Sequence, residues 1–189
     1  PLSHILDRYL DPHKLSSGKP LYVSLYPYRG RLSALSDVMQ GEILKRFDTR
    51  QSVFRHVQSL NKEDQHEALL ASAAIPVLFT PRKVEGQYYS DGGQGEYRKA
   101  QGNTPISPLL NKGLDAIIVS HLSDGALWDS TDFPDELILE LRPASRISDS
   151  SRDMLGFSAD KIEQWMDQGK VDTDALLARL ARYSAARSA

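Results

Sequence analysis

The sequence predicts an α/β protein, a layered sheet flanked by helices, and three observations carry that reading. Segments with apolar residues at helical spacing alternate along the chain with short runs rich in aromatic and β-branched residues. Two extended stretches meet at Glu85-Gly86 in the manner of a hairpin. The run AIIVS, inside Leu114 to Leu122, is apolar enough to read as a buried parallel strand.

Each element follows in order. Leu2, Ile5, Leu6, Tyr9 and Leu10 recur at helical spacing, and Asp11-Pro12 stops that helix. KPLYVSLY, Lys19 to Tyr26, is a strand closed by Pro27 and Arg29-Gly30. Leu35, Val38, Met39, Glu42, Ile43 and Phe47 put most apolar residues on one face of a second helix, with Gly41 costing about 1 kcal/mol against alanine. Ser52 to Gln58 alternates as a short strand. Asn61 is then the expected N-cap of KEDQHEALLAS, whose first turn is acidic and which Ile75-Pro76 ends. RKV and QYYS form the hairpin and lead straight to Asp91. Pro105 to Gly113 reads as a short helix with proline near its start and glycine at its end. ELILELRP is a further strand, and the tail from Ser148 is helical in pattern, with Ser158 and Asp172 as N-cap candidates. No repeat or linker splits the chain.

At 189 residues the chain is about one domain, large enough to bury roughly two thirds of its unfolded surface. With 23 basic and 25 acidic residues the balance is near neutral and the basic residues are scattered, so no overall field recruits nucleic acid or anionic lipid. Without cysteine there is no disulfide, thiolate metal site or cysteine nucleophile. The longest apolar run, Leu69 to Phe79, is far short of the ~20 residues of a spanning helix. No signal-peptide pattern is visible, and the expected location is cytoplasmic or peripheral to a membrane. The first residue is proline rather than methionine, which suggests a trimmed or partial chain.

Most catalytic motifs fail. His66-Glu67 begins like a zinc HExxH pair, but Leu70 stands where the second histidine belongs, so His66 reads as an exposed helix residue. There is no GxGxxG, no GxxxxGK[ST] and no GxSxG. The nearest to the last is GFSAD, Gly156 to Asp160, where Ser158 reads as a helix cap. YYSDGGQG, Tyr88 to Gly95, is different: it brings a carboxylate to the end of a strand and follows it with two residues that have no side chain.

The segment ALLASAAIPVLFTPRKVEGQYYSDGG, Ala68 to Gly93, resembles the second signature block of the patatin-like phospholipase family. There a helix ends in A-S-x-A-I-P-x-x-F and a hairpin closes on Asp-Gly-Gly, and KPLYVSLY and TPISPLLNKGLDAIIVSHL resemble the flanking segments. The resemblance implies a three-layer α/β/α domain of which this chain is the C-terminal portion. It also implies a lipid acyl hydrolase, of phospholipase A or lysophospholipase type, working through a Ser-Asp dyad. Asp91 stands at the position of the dyad base, while Gly92 and Gly93 permit a tight turn and leave space beside the carboxylate. The family's nucleophile elbow and glycine-rich oxyanion segment lie upstream of the matched part, so the chain alone is expected to be inactive.

From this follow further expectations: residues 1–145 as the catalytic-domain part, with 146–189 as a helical extension packed on it; a phospholipid or lysophospholipid substrate; and no metal or organic cofactor. The partners would be the missing N-terminal half of the same domain and, transiently, a membrane surface, with an unpaired sheet edge left where strands are missing. Two alternatives stay open. One is a non-catalytic patatin-like scaffold or binding module. The other is a Ser-Asp-His esterase using His121, which sits at the carboxyl end of the AIIVS strand.

Overall fold

A computed structural model of the chain describes residues 2–28, 51–76, 78–95, 101–121, 128–145, 147 and 158–187. Its helices and mixed sheets make it an α/β protein, in two compact units, 1–110 and 111–189. The expected helix from Leu35 to Phe47 lies outside the described residues.

The first unit opens with α1, Leu2–Tyr9, which has no buried residue. Asp11-Pro12 stops it but also starts α2, Pro12–Ser17, because the Asp11 carboxylate accepts from the N–H groups of His13 and Lys14. Next come β1, Tyr22–Pro27, and β2, Val53–His56, which gives way to a 3-10 turn at Val57–Ser59. Helix α3 spans Lys62–Ser72 under its Asn61 cap, whose side chain accepts from the Asp64 N–H at 2.9 Å. The hairpin of β3, Arg82–Val84, and β4, Gln87–Asp91, turns on Glu85 and Gly86, both at positive φ. Asp64 also accepts from the Glu85 N–H at 2.9 Å, tying the hairpin tip to the first turn of α3.

These strands form an antiparallel sheet in the order β2-β1-β4-β3, so among the described residues β2 and β3 are its edges. Helix α3 covers one face. There Val23, Leu25, Val57, Leu60, Ala68, Ala71, Val84 and Tyr89 form a contiguous core. The register opposes Leu25 to Asp91, which puts the Asp91 side chain on this covered face, at the end of the strand.

In the second unit β5, Ile117–Ser120, and β6, Ile138–Leu141, pair in parallel. The parallel pairing is as expected, but only one face of β5 is covered: Ile117 and Val119 are buried while Ile118 is exposed. The terminal helix α4, Ala159–Arg187, begins at Ser158, whose hydroxyl accepts from the Lys161 N–H at 3.4 Å. Asp172 is not a cap. It lies inside this continuous helix, where its carboxylate accepts from the Ala144 N–H and the Gln168 side chain.

The expected helix over Pro105–Gly113 is also corrected, since only a 3-10 turn forms at Ser107–Leu109. Pro105 and Pro108 have no N–H to donate, and Asn111 and Gly113 both adopt positive φ, so the chain cannot continue a helical ladder. Among the described residues no helix is long and apolar enough to cross a membrane.

Candidate active site

The site is built where β4 ends. Asp91 is the last residue of that strand and also caps a 3-10 turn, Gly92–Gln94. One carboxylate oxygen, Oδ1, accepts from the Gly93 N–H at 2.8 Å. The backbone N–H of Asp91 donates to Ala74 O, 3.0 Å away, just past the end of α3. The Gln94 side-chain amide donates to Asp91 O at 2.9 Å and to Ser90 Oγ at 2.7 Å. Every main-chain polar atom of Asp91 is thus engaged, whereas Oδ2 has no hydrogen-bond partner among the described residues.

Burial pushes the Asp91 carboxyl above its usual range, and the hydrogen bond from Gly93 only partly offsets this. An acid in this condition is a stronger proton acceptor than one in water. That is the property a general base needs.

The glycines around Asp91 are required for room rather than for an unusual backbone, since neither Gly92 nor Gly93 adopts positive φ. A Cβ on Gly92 would run into the backbone and hydroxyl of Ser24 on β1, and one on Gly93 would overlap the Asn103 side chain. The same holds for Gly95 against Ser52 and for Gly102 against Gly92 O. Ser52 Oγ donates to Gly92 O at 2.5 Å and ties the turn to the start of β2. The space at Gly92 and Gly93 is therefore occupied by this chain's own atoms. The Ser24 hydroxyl is buried here with no partner.

Sequence reasoning found Asp91, Gly92 and Gly93 but missed Ser52, Ala74 and Gln94, which hold the turn through hydrogen bonds, and Asn103, which packs against Gly93. Gly95 and Gly102 were the available signal, because recurrent glycine beyond a turn marks close backbone packing.

His121 belongs to a different arrangement. Its side chain is almost fully buried, with Nε2 3.0 Å from Glu140 Oε2 and its ring edge-on to Trp128 at 5.4 Å. Arg142 lies on the same Glu140 oxygen and donates to Trp128 O at 2.9 Å. Burial pushes the Glu140 carboxyl up, but hydrogen bonds from Arg142, Ser130 and His121 outweigh it and hold the group below its ordinary value. His66 is not simply exposed: it is partly buried, with Nε2 3.2 Å from Asp7 of α1. Among the described residues no group of three or more His, Asp or Glu could hold a metal ion.

The model of the patatin-like phospholipase family matches residues 1–110, the span that contains α1 to β4 and Asp91. No curated protein and no solved structure matches the chain. The family match covers more than half of the 189 residues, and the chain belongs to the patatin-like phospholipase family.

Proposed function

We propose that this chain supplies the general base of a Ser-Asp dyad in a lipid acyl hydrolase of phospholipase A or lysophospholipase type. The observation that carries the reading is the state of Asp91: partly desolvated, oriented through Oδ1 by the Gly93 N–H, and with Oδ2 left for a proton. The nucleophilic serine and the oxyanion donors come from polypeptide upstream of Pro1, which completes a three-layer α/β/α domain with residues 1–145 and carries 146–189 as a helical extension. The protein works at the surface of a membrane.

In the first step the serine hydroxyl attacks the ester carbonyl and its proton passes to Asp91. The C–O bond to the leaving alcohol breaks and that alcohol takes the proton. Water then repeats the sequence on the acyl-serine and releases the fatty acid. The base must lie within hydrogen-bond reach of the hydroxyl, so its orientation by Gly93 counts for as much as its basicity.

A triad through His121 finds no support, because the Nε2 atom that would face a serine is engaged by Glu140. The test is Asp91→Asn in the intact protein, which keeps the shape and removes the basic oxygen. Turnover of phospholipid should fall at least a thousandfold with KM little changed. Full activity in a folded Asp91→Asn protein would overturn the dyad. A parent protein inactive on every acyl ester tested would favour the scaffold.

A further inference from the structure

We propose that Asn103 is a positioning residue for the general base: its carboxamide fills the space beside Gly93 and so keeps the Gly93 N–H aimed at Asp91 Oδ1. The assignment rests on the Ser-Asp dyad reading above. The Asp91 carboxylate is oriented by one hydrogen bond, 2.8 Å long, and its donor belongs to the residue type whose φ and ψ are least restricted.

The peptides around that donor are held. Gly92 O accepts from Ser52 Oγ and from the Gly95 N–H, and the Gln94 side chain donates to Asp91 O. None of these bonds ends on Gly93. A side chain at position 93 could not supply the missing restraint, because its Cβ would stand 3.0 Å from Asp91 Oδ1 and crowd the carboxylate that the turn presents. Asn103 supplies it from another segment. Its Cγ lies 3.0 Å from the point where that Cβ would be, and its Oδ1 lies closer still. Carboxamide and carboxylate thus flank the same point, and Gly93 cannot swing towards Asn103 without collision.

The segment that carries Asn103 is itself anchored. Gln101 and Ile106 are buried, and Ser107 Oγ donates to Gln101 Oε1 at 3.2 Å. Gly102 packs so closely that a Cβ there would stand 3.0 Å from the Gly92 carbonyl carbon. One residue therefore meets Gly92 and the next meets Gly93, two contacts in register that together clasp the turn. Both sides of the clasp belong to this chain, so it does not depend on what else completes the site. Its effect on the chemistry follows from tolerance: a reacting group displaced by about 1 Å can lose roughly a hundredfold in rate. Burial raises the Asp91 pKa and the Gly93 hydrogen bond opposes it, so a loosened Gly93 leaves burial less opposed.

The test is Asn103→Ala in the intact protein, assayed on a short-chain phosphatidylcholine kept below micelle formation. kcat should fall roughly tenfold or more with KM little changed, and the acid limb of kcat should move to higher pH. Amide hydrogen exchange at Gly93 should quicken about tenfold relative to the amides of β1. Asn103→Ser, too short to reach Gly93, is a second variant and should behave alike. Gly93→Ala forces the carboxamide aside, so adding Asn103→Ala to it should lower kcat no further. The proposal is overturned if either folded Asn103 variant keeps the parent's kcat, if exchange at Gly93 is unchanged, or if the losses multiply in the double variant. It is equally overturned if both Asn103 variants fail to fold, since the contact then maintains the fold rather than aims the base. Asp91→Asn separates the two readings. A parent-like Asn103→Ala beside an inactive Asp91→Asn removes the positioning role alone, whereas a fully active Asp91→Asn removes the dyad and the positioning role together.

Discussion

At Asp91 two demands oppose each other. The carboxyl must be buried enough to want a proton, yet ionised often enough to take one. Burial raises its pKa above the ordinary 3.8, so the folded protein holds this proton more tightly than the unfolded chain does. The contribution of Asp91 to stability is therefore largest below pH about 4 and is lost as pH rises through the raised folded value. Asp91→Asn should melt above the parent at pH 7 to 8, and the difference should vanish towards pH 4. Thermal denaturation across that range checks it; a difference independent of pH would mean that the carboxylate is not desolvated. Gly92 makes a purely steric prediction. Gly92→Ala places a methyl group against the Ser24 backbone, which cannot swing aside, and should cost about 3 kcal/mol in urea denaturation.

Among the elements, those fixed by neighbouring residues were legible in the sequence. Asn61 caps α3 as its position suggested, and Glu85-Gly86 turns the hairpin with two successive positive φ values, which Gly86 adopts freely and Glu85 adopts against its own preference. What failed depended on competition with the rest of the chain. Asp11 has the pattern of a stop and is also a start, while Asp172 has the composition of a cap but is absorbed into a helix that runs past it. That helix, α4, contains Gly169 near its middle, and a Cβ there would meet nothing within 4 Å. Gly169→Ala should therefore stabilise the protein by roughly 0.5 to 1 kcal/mol, read as a rise in Tm, through the lower backbone entropy of the unfolded chain.

For the molecule as a whole, pairing was the least legible level. β1 lies between β2 and β4, with Leu25 opposite both Val53 and Asp91, and no local pattern encodes partners that lie so far along the chain. The acid could be named from YYSDGG because motif and strand end are local, but its setting could not. Ser52, Ala74 and Asn103 reach the turn from three separate segments, and only the folded chain gathers them. That convergence affects how inactive variants should be understood. A mutant library scored only by loss of turnover would rank Gly92, Gly95 and Gly102 beside Asp91, as though all four took part in the reaction. Counting how much folded protein each variant yields would separate the three positions that need empty room from the single one that handles a proton.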